Sequence, residues 1–82
     1  MYNGYTNFQT WSIFAYISNE ETVYNHYQSL IADLQDPAEE LARILQHDFT
    51  EPPEEIRSPY REILAAALED VNFPEVARAF ID

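Results

Sequence analysis

A single all-α domain spanning residues 1–82, built as a compact bundle of about five short helices, is what this sequence predicts. Three observations point to it. The chain has one glycine in 82 residues, whereas hairpins and β-sandwiches usually need several turn glycines. Helix-start signals recur along it. Between those signals, apolar residues return at i, i+3, i+4 and i+7, the spacing of one helical face. The length also suits one domain, near the lower size at which a chain folds unaided.

The first helix is expected near residues 8–18, within the stretch "NFQTWSIFAYISNEE". Asn7 is a good N-cap, with Thr10 at the third helical position. Trp11, Phe14, Ala15 and Ser18 would share one face, and Ile13, Tyr16 and Ile17 another. The aromatic and β-branched content also suits a strand, but the in–out alternation of a half-buried strand is missing. Helix is the preferred reading. A helix apolar most of the way round belongs at the centre of a bundle, with Trp11 as its main anchor. On that reading Trp11→Ala destabilises by about 3–5 kcal/mol.

A second helix, near 20–34, opens at Asn19-Glu20-Glu21, where acids suit the helix dipole. Its stripe is Val23, Tyr27, Leu30, Ile31 and Leu34. A third, near 37–47, starts at Asp36-Pro37-Ala38-Glu39, which offers a cap, a proline at the first position and a capping-box glutamate. It carries Ala38, Leu41, Ile44 and Leu45. The segment "HDFTEPPEEIRS" then breaks the helix through Pro52-Pro53. Ser58-Pro59 repeats the cap-plus-proline pattern before a fourth helix near 59–70, whose stripe of Tyr60, Ile63, Leu64, Ala67, Leu68 and Val71 is the most regular of all. The last helix, near 73–81, begins around Asn72-Phe73-Pro74-Glu75 and carries Phe73, Val76, Ala77, Phe80 and Ile81. From these stripes the expected core includes Trp11, Phe14, Tyr27, Leu30, Leu41, Leu64, Leu68 and Phe80, with Tyr60 also read as a packing residue.

Charge dominates the remaining composition. Four basic residues, all arginine, stand against fifteen acidic ones for a net charge of −11. Binding a phosphate backbone directly needs clustered cations, and an anionic membrane would repel the chain. A basic protein would instead be attracted and steered to it. Excess carboxylate also keeps a protein soluble, so acidity alone does not prove a partner. The N-terminal "MYNGYTN" lacks the positive region of a signal peptide. The apolar run after it is shorter than the roughly 20 residues of a membrane span. Cytoplasmic residence is the expectation.

Reaction chemistry is not legible. Cysteine is absent, which removes thiol nucleophiles and cysteine-based zinc sites. There is no glycine-rich phosphate loop, no H-E-x-x-H and no G-x-S-x-G. His26 and His47 lie on different helices, each without a second histidine one turn away, and both read as structural. Carboxylates often sit side by side, as in Glu39-Glu40, but neighbours on a helix diverge. No catalytic residue, metal site or cofactor is assigned. Two acidic groups suggest a binding surface: Asp48, Glu51, Glu54 and Glu55 in the proline-containing loop, and Glu69, Asp70 and Asp82 at helix C-termini, where negative charge opposes the dipole. Tyr24, off the main stripe of its helix, is the candidate exposed tyrosine.

The two ends of the chain also carry a resemblance. "NFQTWSIFAYISNEE" resembles the opening N-Y-E-T-W-N-V-A-L-W-L-x-N-D-E of an uncharacterised family of small acidic proteins found in cyanobacteria, other bacteria, phages and mobile elements. Asn7, Thr10, Trp11, Asn19 and Glu21 match it, and Phe8, Ile13, Tyr16, Ile17 and Glu20 are similar. Gln9 replaces an acid, and Phe14-Ala15 reverses the family's small-then-large order. "LAAALEDVNFPEVARAFID" is similar to the closing A-L-x-E-V-D-W-x-E-I-A-x-x-L-L-x-D, with Ala67, Leu68, Val71, Glu75, Ala77 and Asp82 matching and Asp70 at the acid position. Asn72 and Phe73 stand where the family has Asp and Trp. The resemblance implies no catalytic residue. The family's occurrence on phages and mobile elements implies a host-interaction role.

The functional expectation is a non-catalytic, monomeric module that presents an acidic surface to a basic protein. A sharper form is mimicry of nucleic acid, directed at a host defence or other nucleic-acid-binding protein. The alternatives are a carboxylate-based metal-binding protein or enzyme, and a structural or oligomerising domain.

Overall fold

In a computed structural model that describes residues 1–81, the chain forms five α-helices in sequence: α1 (Phe8–Asn19), α2 (Glu21–Ile31), α3 (Pro37–Asp48), α4 (Tyr60–Glu69) and α5 (Phe73–Ile81). No strand is present among the described residues. The expectation for Asp82 lies outside them.

The core is centred on α3 and α5, the most closely packed pair, with α1 laid against α5 and α2. Phe73, Val76, Ala77 and Phe80 of α5 are all buried, and they follow the i, i+3, i+4, i+7 rule without a gap. Leu41, Ala42 and Leu45 of α3 meet them. The small side chains of Ala42 and Ala77 leave room for the two helices to approach. Ile17 from α1 and Tyr27 from α2 complete the buried cluster, and Val23, Leu30, Ile31, Leu34 and Phe14 pack around it partly exposed.

The boundary between α1 and the last two helices is a polar lock. Asn7 caps α1, its Oδ1 accepting from the Thr10 amide at 2.9 Å and from the Thr10 hydroxyl at 2.6 Å. Thr10 is fully buried, and its Oγ1 accepts from the Asn72 amide at 2.9 Å. Asn7 Nδ2 donates to the Asp70 carbonyl at 2.8 Å. Asn72 in turn caps α5, accepting from the Glu75 amide at 3.1 Å, and the Glu75 carboxylate accepts from the Thr6 amide at 2.9 Å. Groups from both ends of the chain thus satisfy one another, and among the described residues no buried side-chain nitrogen or oxygen lacks a partner.

Ahead of α1, Asn3 and Gly4 both have positive φ, 48° and 87°, and the Tyr2 and Tyr5 backbones hydrogen-bond across them. Asn-Gly is the strongest short-range signal for such a turn. The turn lays Tyr2 against Phe8 and Trp11, with ring centroids 5.1 and 5.2 Å apart, and Tyr5 against Phe14 at 5.4 Å. Space surrounds Gly4, so only its backbone conformation demands glycine. Gly4→Val should therefore lower stability by about 1–2 kcal/mol in urea denaturation and leave the helical circular dichroism unchanged.

Several expectations need correction. Trp11 is half-buried and belongs to this aromatic layer, not to the central core. Leu64 is 36% exposed and Tyr60 71% exposed, and Leu68 is only partly buried. No residue of α4 is buried at all. Phe14 and Leu30 border the core half-exposed instead of filling it. Helix α2 stops at Ile31, where tighter bonds from Asp33 to Leu30 and from Leu34 to Ile31 turn the chain. At the starts of α3 and α4, Asp36 makes no side-chain cap and Pro59 occupies the cap position. The hydroxyl of Ser58 donates to Glu62 instead.

Candidate functional site

The most regular apolar stripe in the sequence lines an open groove. Leu64, Ala67 and Leu68 of α4, with Val71 just beyond it, face Phe8, Gln9, Ser12 and Ile13 of α1 across a depression of about 160 Å³. None of these residues is ionisable. Around the groove the same two helices expose large side chains: Phe8 is 53% exposed, Tyr16 50% and Ile63 65%. Tyr16 lies one and two turns along from Ser12 and Gln9, so it extends the groove face of α1. The Arg61 guanidinium donates to the Pro53 carbonyl at 2.8 Å and to that of Ile56 at 3.4 Å, tying α4 to the preceding loop. Pro52 of that loop is buried.

Acidic residues begin where the groove ends. Leu68 and Val71 also line a second depression, together with Glu69, Gln46, Thr50 and Phe73. Thr50 is shared with a third, lined by His47, Asp48 and Glu51. The three depressions adjoin through shared walls. The surface therefore passes from apolar at the α1/α4 end to acidic at the C-terminal end of α3.

The sequence-predicted residues divide accordingly. Glu69 lines one depression and Asp48 and Glu51 the next, with Thr50 on the wall that the two share. Glu54 and Glu55 are exposed in the turn where the Ile56 amide bonds back to Pro53, and Asp70 is exposed at the α4–α5 corner, where its carbonyl serves the polar lock. Tyr24 is 39% exposed, but its ring rests on Phe80 at 5.3 Å, and it lines none of the three depressions. The larger exposed aromatics, Phe8, Tyr16 and Tyr60, escaped sequence reasoning because periodicity locates an apolar face without telling whether anything covers it.

Asp48 has a second duty. Its Oδ2 accepts from the Tyr27 hydroxyl at 2.7 Å, joining α2 to the end of α3. Burial of the phenol, and then the hydrogen bond and negative charge of Asp48, push the Tyr27 hydroxyl well above its ordinary value of 10.0. The unfolded chain then releases this proton at a lower pH than the folded one. Stability should fall as pH rises above about 10, and Tyr27→Phe should flatten that fall in urea midpoints measured against pH. His47 Nδ1 lies 3.6 Å from Asp48 Oδ1 on an open surface. Among the described residues, no group of three or more His, Asp or Glu side chains converges as a metal ion requires, and no helix is long and apolar enough to cross a membrane. Comparison with protein-family models, curated proteins and solved structures returns no match.

Proposed function

We propose that this chain is a non-catalytic protein-binding module whose acidic surface engages a basic partner in the cytoplasm. The supporting observation is how few of its charges are compensated. Of four arginines, Arg43 is held by Glu39 at 2.7 Å and Arg61 by loop carbonyls. Glu51, Glu54, Glu55, Glu69 and Asp70 form no ion pair among the described residues. Their field extends into solvent, where it draws in and orients a cationic partner. The sharper reading is nucleic-acid mimicry: carboxylates stand in for phosphates and occupy a protein that binds DNA or RNA. The resemblance of both chain ends to a family found on phages and mobile elements supports a host-directed role.

Immobilised protein challenged with host lysate tests this. The expected result is retention of a basic nucleic-acid-binding protein at low salt and its release at high salt, where screening shortens the reach of surface charge. Glu51→Lys, Glu54→Lys, Glu55→Lys and Glu69→Lys combined should weaken capture by about tenfold or more. Competing DNA should displace the partner if mimicry operates. Failure to retain any such protein at low salt contradicts the mimicry reading.

A further inference from the structure

The acidic surface does not account for the open apolar groove beside it. A chain that exposes Tyr60, Ile63 and Leu64 on one helix and Phe8 and Tyr16 on another presents apolar surface of the kind that marks interaction sites. At about 160 Å³ the groove is smaller than the roughly 300–1,000 Å³ of small-molecule sites, but it can take an anchoring side chain. Two helices bordering an uncharged furrow fit the mode in which an amphipathic helix lays its apolar face into a groove.

Charge selects the occupant. A second copy would bring another −11 to a face whose far end already holds Asp48, Glu51 and Glu69. Self-docking is therefore opposed, and a cationic helix is favoured. We propose that the α1/α4 groove is the docking site for a basic amphipathic helix of the partner. Its apolar residues at i, i+3 or i+4 and i+7 seat against Ile13, Leu64, Ala67 and Leu68. Its Lys or Arg residues at one end reach Glu69, Glu51 and Asp48. This rests on the reading of the chain as a binder of basic proteins and adds to it the place and the shape of what is bound.

The test uses two synthetic peptides of identical Leu, Lys and Ala composition, one arranged as an amphipathic helix and one scrambled to remove the apolar face. Methyl NMR of the whole chain reports the contact. The proposal expects the amphipathic peptide to bind about tenfold or more tighter than the scrambled one and to shift the methyls of Ile13, Leu64, Leu68 and Val71. Leu64→Glu should remove that advantage. The shift map on the unaltered protein decides the case even if Leu64→Glu does not fold. Equal binding of both peptides, with methyl shifts absent from the groove, overturns the docking site and leaves the acidic-surface reading intact. No binding of either peptide at low salt contradicts both. A dimer in light scattering that Leu64→Glu abolishes assigns the groove to a second copy and overturns the proposal.

Discussion

Asn7→Ala should destabilise the protein by about 2–4 kcal/mol, a large part of what a domain of this size commands. The side chain holds three ties. Its oxygen caps α1 by accepting from the Thr10 amide and also takes the Thr10 hydroxyl proton, while its nitrogen bonds the Asp70 carbonyl. Loss of the cap alone costs about 0.5–2 kcal/mol. The remainder arises because the buried Thr10 hydroxyl is left without an acceptor. Thr10→Val should fall in a similar but lower range, about 1–3 kcal/mol, since it strands the Asn72 amide and leaves the cap bond to Asn7 in place. Urea denaturation of the two single variants and the double variant checks this. The double variant should lose less than the sum, because both act on one network.

Leu41→Ala should cost about 2–5 kcal/mol, more than Trp11→Ala. Leu41 has no exposed surface and sits at the α3–α5 contact, so its truncation leaves a cavity that two closely packed helices cannot easily close. Trp11 is half-buried and packs on Tyr2 and Phe8 with ring centroids 5.2 and 6.0 Å away. Two such aromatic pairs contribute about 1–3 kcal/mol together, and part of the ring stays in water in either state. The sequence alone points the other way, because a lone tryptophan in an apolar stretch reads as the central anchor. Thermal or urea denaturation of both variants in parallel gives the order directly.

What was legible in the sequence follows from which physical signals are local. Helix positions are local: Pro37 at the start of α3 and Asn72 before α5 mark the chain where the helices begin. The α5 stripe predicts its own burial at Phe73, Val76, Ala77 and Phe80, with Ile81 partly exposed. Coverage, by contrast, is a tertiary property. The stripe from Tyr60 to Val71 has the same period as that of α5, yet Tyr60 and Ile63 stay largely in solvent because no neighbouring helix packs along α4. The polar lock was half visible. Asn7 reads as a cap, but nothing local tells that its amide reaches Asp70 or that Thr10 receives the Asn72 amide, more than sixty residues away in sequence. Residues near the two chain ends thus meet in space, giving Asn7 and Thr10 a structural reason to be present. The acids near Thr50 could be nominated singly from the sequence, but that Glu69 lines the adjoining depression depends on how the end of α4 returns past the end of α3.

The proposed docking groove depends on α4 displaying its apolar face instead of burying it. Equilibrium urea denaturation of Tyr60→Ser/Ile63→Ser tests that most directly. The predicted result is a free energy of unfolding within about 0.5 kcal/mol of the unaltered protein, as for surface substitutions. A loss of several kcal/mol, comparable to that of Leu41→Ala, would mean that α4 is part of the core and would contradict the account.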